Sequence, residues 1–318
     1  MGTHSRGGRV EDLAAPCRPQ GSGDREQLRE ARYSAALVAL LCAALMCSCT
    51  REVAERDLFH PKDVVFLSAP AQATVLELPR EEGVTLAGWG IERSRQLPTM
   101  IYFGGNGETV AGSWGRLAWM SRTLAVNLVA FDYRGYGASS GVPDLRHCAA
   151  DAVAITAAVR TMPPFAGGPL LVYGRSIGGG FAVAAAAGAA VDGLVLEAPP
   201  ASCAAVVAGW NRNLPWYAYP FITLVAAPSL AEPTLQPVHL ITQVHCPLLI
   251  MHGDADQVID PTQGRDLFAL AASLDKRFVL LPGTGHNDIR IDAEPVRGSL
   301  VDFIGRAQQR APHDDSTR

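Results

Sequence analysis

Six apolar segments constrain the fold of this chain more than any other feature. Each is seven residues long, lacks the regular polar alternation of a half-exposed strand and ends at or near a turn residue. Such runs are typical of strands that are buried on both faces of a parallel sheet. The segments are TMIYFGG (99–105), VNLVAFD (126–132), LLVYGRS (170–176), GLVLEAP (193–199), PLLIMHG (247–253) and RFVLLPG (277–283).

Stretches with helical character follow most of these segments, so strand and helix alternate along the chain. This alternation predicts an α/β fold in which helices cover a mostly parallel, doubly wound sheet. The expected helices lie around 109–123, 146–161, 178–189, 262–274 and 296–309. Three earlier segments are candidate antiparallel strands: DVVFL (63–67), ATVLELP (73–79) and VTLAGWGIE (84–92).

The interval 199–245 breaks the alternation. It is rich in proline and aromatic residues, and we predict that it forms a short cap inserted between two strands. Its aromatic side chains either line a substrate pocket or pack the cap onto the domain, and both options fit the sequence. These residues are Trp210, Trp216, Tyr217, Tyr219 and Phe221.

Composition excludes several classes of protein. The 318 residues are 48% hydrophobic and 18% charged, with a formal net charge of −4, so the chain can bury a large core. No cluster of lysine and arginine offers the basic face that binds nucleic acid. Beyond the N-terminal region the cysteines are Cys148, Cys203 and Cys246, without CxxC spacing. This argues against a zinc site, while a Cys203–Cys246 bridge and free buried thiols both fit.

The N-terminal region resembles an export signal. Residues 1–33 are polar, and the nearly continuous apolar stretch Ser34–Cys49 follows two arginines, as an h-region follows the n-region of a signal peptide. A membrane-spanning helix needs about 20 residues, and this stretch is shorter. Its final Ser48-Cys49 resembles a bacterial lipoprotein signal. We therefore expect a protein that is exported or membrane-attached on the periplasmic face, lipidated at Cys49; an uncleaved anchor and a core helix are the alternatives.

A serine between two glycines joins a predicted strand to a predicted helix. Gly174-Arg175-Ser176-Ile177-Gly178 fits the pattern G-x-S-x-G. The glycines permit a sharp turn that displays the serine hydroxyl, and the following helix directs backbone N–H groups to the same place. Ser176 is either an ordinary turn residue or a nucleophile. As a nucleophile it needs a base and an orienting acid elsewhere in the chain.

Candidates for the base and the acid follow the last two predicted strands. Asp254, Asp256 and Asp260 follow one strand, and His286 follows the next, close to Asp288. Serine, acid and histidine thus occur in the order of a triad in which histidine takes the serine proton and the acid fixes its tautomer. Spacing alone does not choose among the four aspartates.

From about residue 63 onward, the chain resembles the α/β-hydrolase superfamily. The resemblance points to its branch of membrane-associated hydrolase-domain proteins, which includes depalmitoylating thioesterases and lysophospholipases. It rests on FDYRGYGASSG (131–141), YGRSIGG (173–179), LLIMHGDADQVID (248–260) and GTGHNDI (283–289).

The resemblance implies roles for particular residues. The family pattern H-G-x-x-D-x-x-[VI] coincides with residues 252–259, which implies that Asp256 is the triad acid and that His252 is a structural residue at a strand end. With Ser176 and His286, Asp256 would complete the catalytic triad.

The resemblance also implies an oxyanion hole. The segment YFGGNGE (102–108) is similar to the family's His-Gly-Asn-Ala segment, with Gly104 in place of the histidine. By this likeness, the backbone N–H groups of Asn106 and Ile177 would face the developing oxyanion.

These observations predict one hydrolase domain at 60–310 that includes the cap insertion. A polar leader (1–33) and a signal or anchor (34–49) precede the domain, and a tail (311–318) follows. The length of the leader favours a translation start inside it, so that residues up to about 28 are not made.

The predicted activity is that of a serine hydrolase acting on esters or thioesters, with small-molecule or lipid acyl substrates. The reaction would pass through an acyl-enzyme and would need no metal or organic cofactor. The alternatives are a serine peptidase of the same fold, disfavoured because no propeller or large cap precedes the domain, and a non-catalytic lipoprotein that binds lipid or a partner. The oligomeric state is not indicated.

Overall fold

An eight-stranded sheet organises the chain. The structure is a computed structural model that describes residues 33–34, 49–61, 69–218 and 221–310. The strands are β1 (Cys49–Val53), β2 (Thr74–Pro79), β3 (Thr85–Ile91), β4 (Thr99–Phe103), β5 (Asn127–Phe131), β6 (Leu170–Arg175), β7 (Gly193–Glu197), β8 (Ile222–Ala226), β9 (Leu248–Gly253) and β10 (Lys276–Leu281).

The strand order across the main sheet is β10-β9-β7-β6-β4-β5-β3-β2. Neighbours from β10 to β5 are parallel, whereas β2 and β3 are antiparallel. The prediction of a mostly parallel sheet is confirmed, and the six apolar segments are its parallel strands. Two of the three predicted antiparallel strands are β2 and β3; the third, DVVFL, lies outside the described residues.

Both faces of the sheet are buried. In β4, Met100 and Tyr102 belong to the apolar core on one face, and Ile101 and Phe103 belong to the core on the other. Successive side chains of a strand point to opposite faces, so a strand with a core on each side is apolar at every position. This explains the absence of polar alternation in the sequence.

Helices cover the two faces. The structure gives bounds for α1 (Glu55–Leu58), α2 (Val110–Leu124), α3 (Leu145–Thr161), α4 (Ile177–Gly188), α5 (Cys203–Arg212), α6 (Pro237–Leu240), α7 (Pro261–Leu270) and α8 (Val296–Arg310). In the part of the chain that the structure describes, no helix is long and apolar enough to cross a membrane.

One helix is shorter than the sequence predicted. We expected a helix over 262–274, but α7 ends at Leu270. The ammonium group of Lys276 donates to the carbonyl oxygens of Phe268 and Ala271, at 2.7 and 2.9 Å. Carbonyl groups in the last turn of a helix lack intrahelical partners, and a lysine from the next strand satisfies them at this shorter end.

The interval 199–245 connects β7 to β9 and lies outside the main sheet. It contains α5, β8 and α6, and β8 pairs with β1 in a separate two-stranded sheet.

The chain divides into two units, Met1–Cys49 and Thr50–Arg318. In the first unit the structure describes only Tyr33, Ser34 and Cys49. The predicted leader and signal segment therefore lie almost entirely outside the described residues, as does the predicted tail.

A buried carboxylate connects the end of β5 to two neighbouring segments. Asp132 accepts the N–H of Val110, the first residue of α2, at 2.7 Å, and the N–H of Ala138 at 3.2 Å. Burial raises the pKa of Asp132 to about 6, although these two donors oppose the rise. The folded protein therefore binds a proton at Asp132 more tightly than the unfolded chain does.

The contribution of Asp132 to the free energy of unfolding should decrease as the pH rises from about 4 to about 6. The carboxyl group of Asp132 has a pKa of 3.8 in the unfolded chain and about 6 in the folded protein. The stabilisation by its proton is therefore complete below pH 3.8 and is lost above about pH 6. Relative to Asp132→Asn, which does not titrate, the free energy of unfolding of the wild type should fall across this interval. Urea unfolding of both proteins at several pH values measures the difference, and a rise with pH would contradict the assignment.

Candidate active site

Ser176 occupies a strained turn between β6 and α4. Its backbone has φ 52° and ψ −126°, and a positive φ is rare for residues other than glycine. Its N–H donates to the carbonyl oxygen of Glu197, the last residue of β7, at 2.9 Å, and its own carbonyl accepts the N–H of Gly179 at 2.8 Å. The turn at the carboxyl end of β6 agrees with the G-x-S-x-G prediction.

Gly174 and Gly178 are required by close packing at this turn. A Cβ atom at Gly174 would lie 2.4 Å from the carbonyl oxygen of Gly178, and one at Gly178 would lie 2.2 Å from that of Phe103 in β4. Both distances are well inside van der Waals contact. The helix α4 can therefore approach the sheet this closely only because neither position has a side chain.

The structure brings Ser176, His286 and Asp256 into one hydrogen-bonded chain. His286 Nε2 lies 2.9 Å from Ser176 Oγ, and His286 Nδ1 lies 2.7 Å from Asp256 Oδ2. Asp256 follows β9 and His286 follows β10, and the carboxyl ends of parallel strands meet at one edge of the sheet. This is the arrangement of a nucleophile, a base and an orienting acid. The catalytic role of each residue stays a prediction.

Asp256 is a buried carboxylate surrounded by donors. Its Oδ1 accepts the N–H groups of Val258 and Ile259 at 2.8 and 2.9 Å, and its Oδ2 faces His286 and His252. Burial acts to raise the pKa of Asp256, but hydrogen bonds from the two histidines and the backbone outweigh it. They hold the pKa well below its ordinary value, so the carboxylate is ionised at neutral pH.

The other three aspartates have different surroundings. Asp254 accepts a backbone N–H from the loop after β10 at 2.6 Å, and Asp260 caps the start of α7 at 3.0 Å. Asp288 is exposed. Within the described ranges none of the three is hydrogen-bonded to His286, so the geometry agrees with the family pattern in selecting Asp256.

His252 contacts the candidate acid, a contact that the sequence analysis missed. Its Nε2 lies 3.0 Å from the carbonyl oxygen of Ile259 and 3.2 Å from Asp256 Oδ2. Both neighbours are acceptors, so Nε2 carries the ring proton. Nδ1 is buried and has no hydrogen-bond partner among the described residues. The four-residue spacing in H-G-x-x-D is the sequence signal that points to this contact.

The side chain of Asn106 holds the loop after β4. Its Nδ2 donates to the carbonyl of Leu58 at 2.6 Å, and its Oδ1 accepts the backbone N–H of His60 and the hydroxyl of Tyr136, each at 3.0 Å. The backbone N–H groups of Asn106 and Ile177 have no hydrogen-bond partner in the described part of the chain. Both residues line the cavity beside the candidate nucleophile, and their oxyanion role stays a prediction.

An apolar cavity of about 110 Å³ adjoins Ser176. Of the cap aromatics, Trp210 lines this cavity, whereas Trp216 and Tyr217 are 86% and 63% exposed; Tyr219 lies outside the described residues. Besides Ser176 and Asn106, the lining residues are Leu58, Leu145, Ile177, Pro200, Cys203, Val206, Trp210, Val258 and Ile259.

The cysteines and metal-ligating residues suggest no second chemistry. Cys148, Cys203 and Cys246 are free thiols, and burial raises the pKa of Cys203, which lines the cavity, to about 11. This thiol is therefore protonated at neutral pH. Among the residues with described positions, no group of three or more His, Cys, Asp or Glu side chains is arranged to hold a metal ion.

Two sequence comparisons relate the chain to known proteins. The family model described as "Serine aminopeptidase, S33" (Hydrolase_4) matches residues 122–233 and 223–290. The chain is 28% identical to the uncharacterized protein YfhR of Escherichia coli K12 over 263 residues. The aligned region covers 79% of this chain and 87% of YfhR. It is 31% identical to the alpha/beta hydrolase domain-containing protein aho-3 of Caenorhabditis elegans over 211 residues. This aligned region covers 63% of this chain and 56% of aho-3.

Solved structures show the same fold. The esterase Pf2001 of Pyrococcus furiosus superposes with a TM-score of 0.63 at 19% identity, over 79% of this chain and 98% of the esterase. At this identity the likeness shows the fold alone. Because the family model covers more than half of the sequence, the chain belongs to the Hydrolase_4 family of α/β hydrolases and is an enzyme of that type.

Proposed function

We propose that this hydrolase cleaves carboxylic esters or thioesters, with Ser176 as nucleophile, His286 as base and Asp256 as orienting acid. The observation that carries the proposal is the hydrogen-bonded chain of these three residues at the edge of an apolar cavity. An acyl chain suits such a cavity because burying it removes apolar surface from water. The proposed substrates are therefore small-molecule or lipid acyl compounds.

In the first half of the reaction, Ser176 Oγ attacks the carbonyl carbon while His286 Nε2 takes its proton. Asp256 accepts a hydrogen bond from the Nδ1–H of His286 and so keeps Nε2 unprotonated and free to act as base. The N–H groups of Asn106 and Ile177 would stabilise the oxyanion, with about 3 kcal/mol per donor. The imidazolium then protonates the leaving alcohol or thiol, and Ser176 is left acylated.

In the second half, water takes the place of the serine hydroxyl. His286 removes a proton from the water as its oxygen attacks the acyl carbon. The proton then returns to Ser176 Oγ as the ester bond breaks and the acid leaves. The cycle consumes one water molecule, and its atoms balance without a metal or an organic cofactor.

A peptidase of the same fold is the second candidate, because the matching family model is described as a serine aminopeptidase. An aminopeptidase must bind the α-ammonium group of its substrate, and a carboxylate is the usual partner of a buried cation. Among the described residues, those that line the cavity include no aspartate or glutamate. The apolar lining therefore favours an acyl substrate over a peptide N-terminus.

Ser176→Ala and His286→Ala should each lower kcat for a p-nitrophenyl ester by about 10⁴- to 10⁶-fold. The double variant should be little worse, because triad residues act as a unit. Asp256→Asn should lower kcat by about 10⁴-fold, since an amide offers His286 the wrong partner. Near-wild-type hydrolysis by Ser176→Ala would refute the mechanism.

Asp254→Asn is the matched control for the acid, because Asp254 also lies in the turn after β9 but does not contact His286. It should retain most of the activity, as should Asp260→Asn. Labelling with a fluorophosphonate, which is lost in Ser176→Ala and after boiling, separates an active hydrolase from a non-catalytic binding protein. An unlabelled wild-type protein would favour the binding protein.

The cavity should determine the preferred acyl length. Each methylene that is buried in the cavity strengthens substrate binding by about 0.8 kcal/mol. The value of kcat/KM should therefore rise about fourfold per carbon until the cavity is full. Trp210→Ala should extend the rise to longer chains. A series of p-nitrophenyl esters from acetyl to palmitoyl measures this profile.

Trp216→Ala is the matched control for the pocket, because Trp216 is exposed and does not line the cavity. Its chain-length profile should equal that of the wild type. A wild-type profile without any rise, or an unchanged profile in Trp210→Ala, would exclude this cavity as the acyl site.

We also propose that Ser34–Cys49 directs export and that the protein is cleaved and lipidated at Cys49. The several acyl chains of a bacterial lipoprotein would hold it firmly at a membrane, beside acyl substrates delivered from lipid. Intact mass spectrometry of the membrane-extracted protein should show a lipidated N-terminus at Cys49. Cys49→Ser should abolish this processing, whereas Cys47→Ser in the same segment should not. A mature protein that keeps residues 34–48 would instead have an uncleaved anchor.

A further inference from the structure

Arg175, the residue before the candidate nucleophile, contacts three separate parts of the site. Its Nε donates to Glu197 Oε1 at 3.2 Å, its Nη2 donates to Asn287 Oδ1 at 2.7 Å, and its Nη1 donates to Glu108. The Arg175 side chain is only 14% exposed. Each nitrogen of the guanidinium therefore has its own acceptor in a nearly buried position.

Each acceptor is next to a different part of the proposed machinery. The backbone carbonyl of Glu197 accepts the N–H of the nucleophile. Glu108 closes the loop that contains Asn106, and Asn287 directly follows His286. The guanidinium thus connects the nucleophile turn, the oxyanion loop (104–108) and the histidine loop (283–289).

The contact with Asn287 is not needed for charge balance. Glu197 is almost fully buried and also pairs with Arg116 and accepts the hydroxyl of Tyr173. Glu108 also accepts the hydroxyl of Tyr102, at 2.9 Å. Arg175 and Arg116 already balance the charges of the two glutamates. The neutral amide of Asn287 therefore fixes the direction of the guanidinium and compensates no charge.

The same guanidinium lies against the glycines of the oxyanion loop. A Cβ atom at Gly105 would lie 2.9 Å from Arg175 Nη1, and one at Gly104 would lie 3.0 Å from Glu108 Oε2. The hydroxyl of Tyr133 donates to the carbonyl of Gly104 at 2.7 Å. The ion pair and this tyrosine therefore hold the loop where the resembling family has a histidine.

We propose that Arg175 is a positioning residue that holds the oxyanion loop and the histidine loop against the nucleophile turn. The inference rests on the proposed serine-hydrolase function. A planar guanidinium can donate in three directions at once, whereas a lysine ammonium on a flexible stem does not span the same acceptors. Without the bond to Asn287, the histidine loop can shift and carry His286 Nε2 away from Ser176 Oγ.

Asn287→Ala tests the proposal without disturbing the buried charges, because Asn287 is exposed. Small misplacements of reacting groups lower rates by up to about 100-fold, so kcat for a p-nitrophenyl ester should fall about 10- to 100-fold while KM changes little. Asn287→Asp keeps an acceptor for Arg175 and should restore kcat. Asp288→Ala is the matched control, because this carboxylate has no hydrogen bond in the described part of the chain. It should behave like the wild type.

A double-mutant cycle separates this role from a general structural one. Arg175→Lys keeps the positive charge beside the two glutamates but should lose the bond to Asn287, and it should lower kcat similarly. If Arg175 acts through Asn287, the double variant should be no slower than the slower single variant. Effects on kcat that multiply in the double variant would overturn the proposal.

Hydrogen exchange gives a readout that does not need activity. In the Ser176→Ala background, amides of 283–289 should exchange faster in Asn287→Ala, and those of both loops should exchange faster in Arg175→Lys. If the wild type hydrolyses no ester but exchange rises in this way, the clamp stands and the proposed function fails. If the wild type is active while kcat and exchange are unchanged in Asn287→Ala, the clamp is wrong and the function stands.

Discussion

The positive φ of Ser176 is the constraint on which the candidate site depends. Such a conformation costs about 1–3 kcal/mol in a residue other than glycine and persists only where the surroundings hold it. Here the N–H of Ser176 is bonded to the carbonyl of Glu197, and α4 packs on the sheet at backbone contact through Gly178. In this conformation the Ser176 hydroxyl lies 2.9 Å from His286 Nε2.

The buried charge of Asp256 imposes the second requirement. A carboxylate out of water is costly unless donors surround it, and Asp256 has two backbone N–H groups and two imidazoles. His252 carries its ring proton on Nε2, and Nδ1 has no partner in the described residues to accept a second proton. Through Nε2, His252 contributes a donor to Asp256. In the proposed mechanism, the negative charge of Asp256 would stabilise an imidazolium on His286.

The apolar cavity and the candidate oxyanion loop share one support. Asn106 bonds through its side chain to Leu58 and His60, and Leu58 also lines the cavity. The segment around α1 thus contributes to the wall of the cavity and also holds the candidate oxyanion loop. A change in this segment is therefore expected to affect both the cavity and the geometry of the loop.

Much of the fold and the candidate triad could be predicted because they depend on local patterns. Runs without polar alternation indicate strands with a core on both faces, and the glycines around Ser176 indicate a turn at which helix and strand approach closely. The order of serine, acid and histidine along the chain is likewise visible in the sequence. The limit of the local pattern is visible at α7, which ends earlier than predicted and whose last carbonyl groups are bonded by Lys276 from the following strand.

The sequence by itself determined the strand and helix order, the nucleophile turn and a short set of candidate acids. The family pattern in the sequence implied Asp256, and the tertiary structure shows that Asp256 and not Asp254 meets His286. Only the tertiary structure decided that His252 contacts that acid and that Arg175 reaches three parts of the site. The triad contacts join residues that are 30 and 110 positions apart. Whether such groups lie within hydrogen-bond distance depends on how the turns after parallel strands pack at one sheet edge, and residue spacing along the chain does not encode that distance.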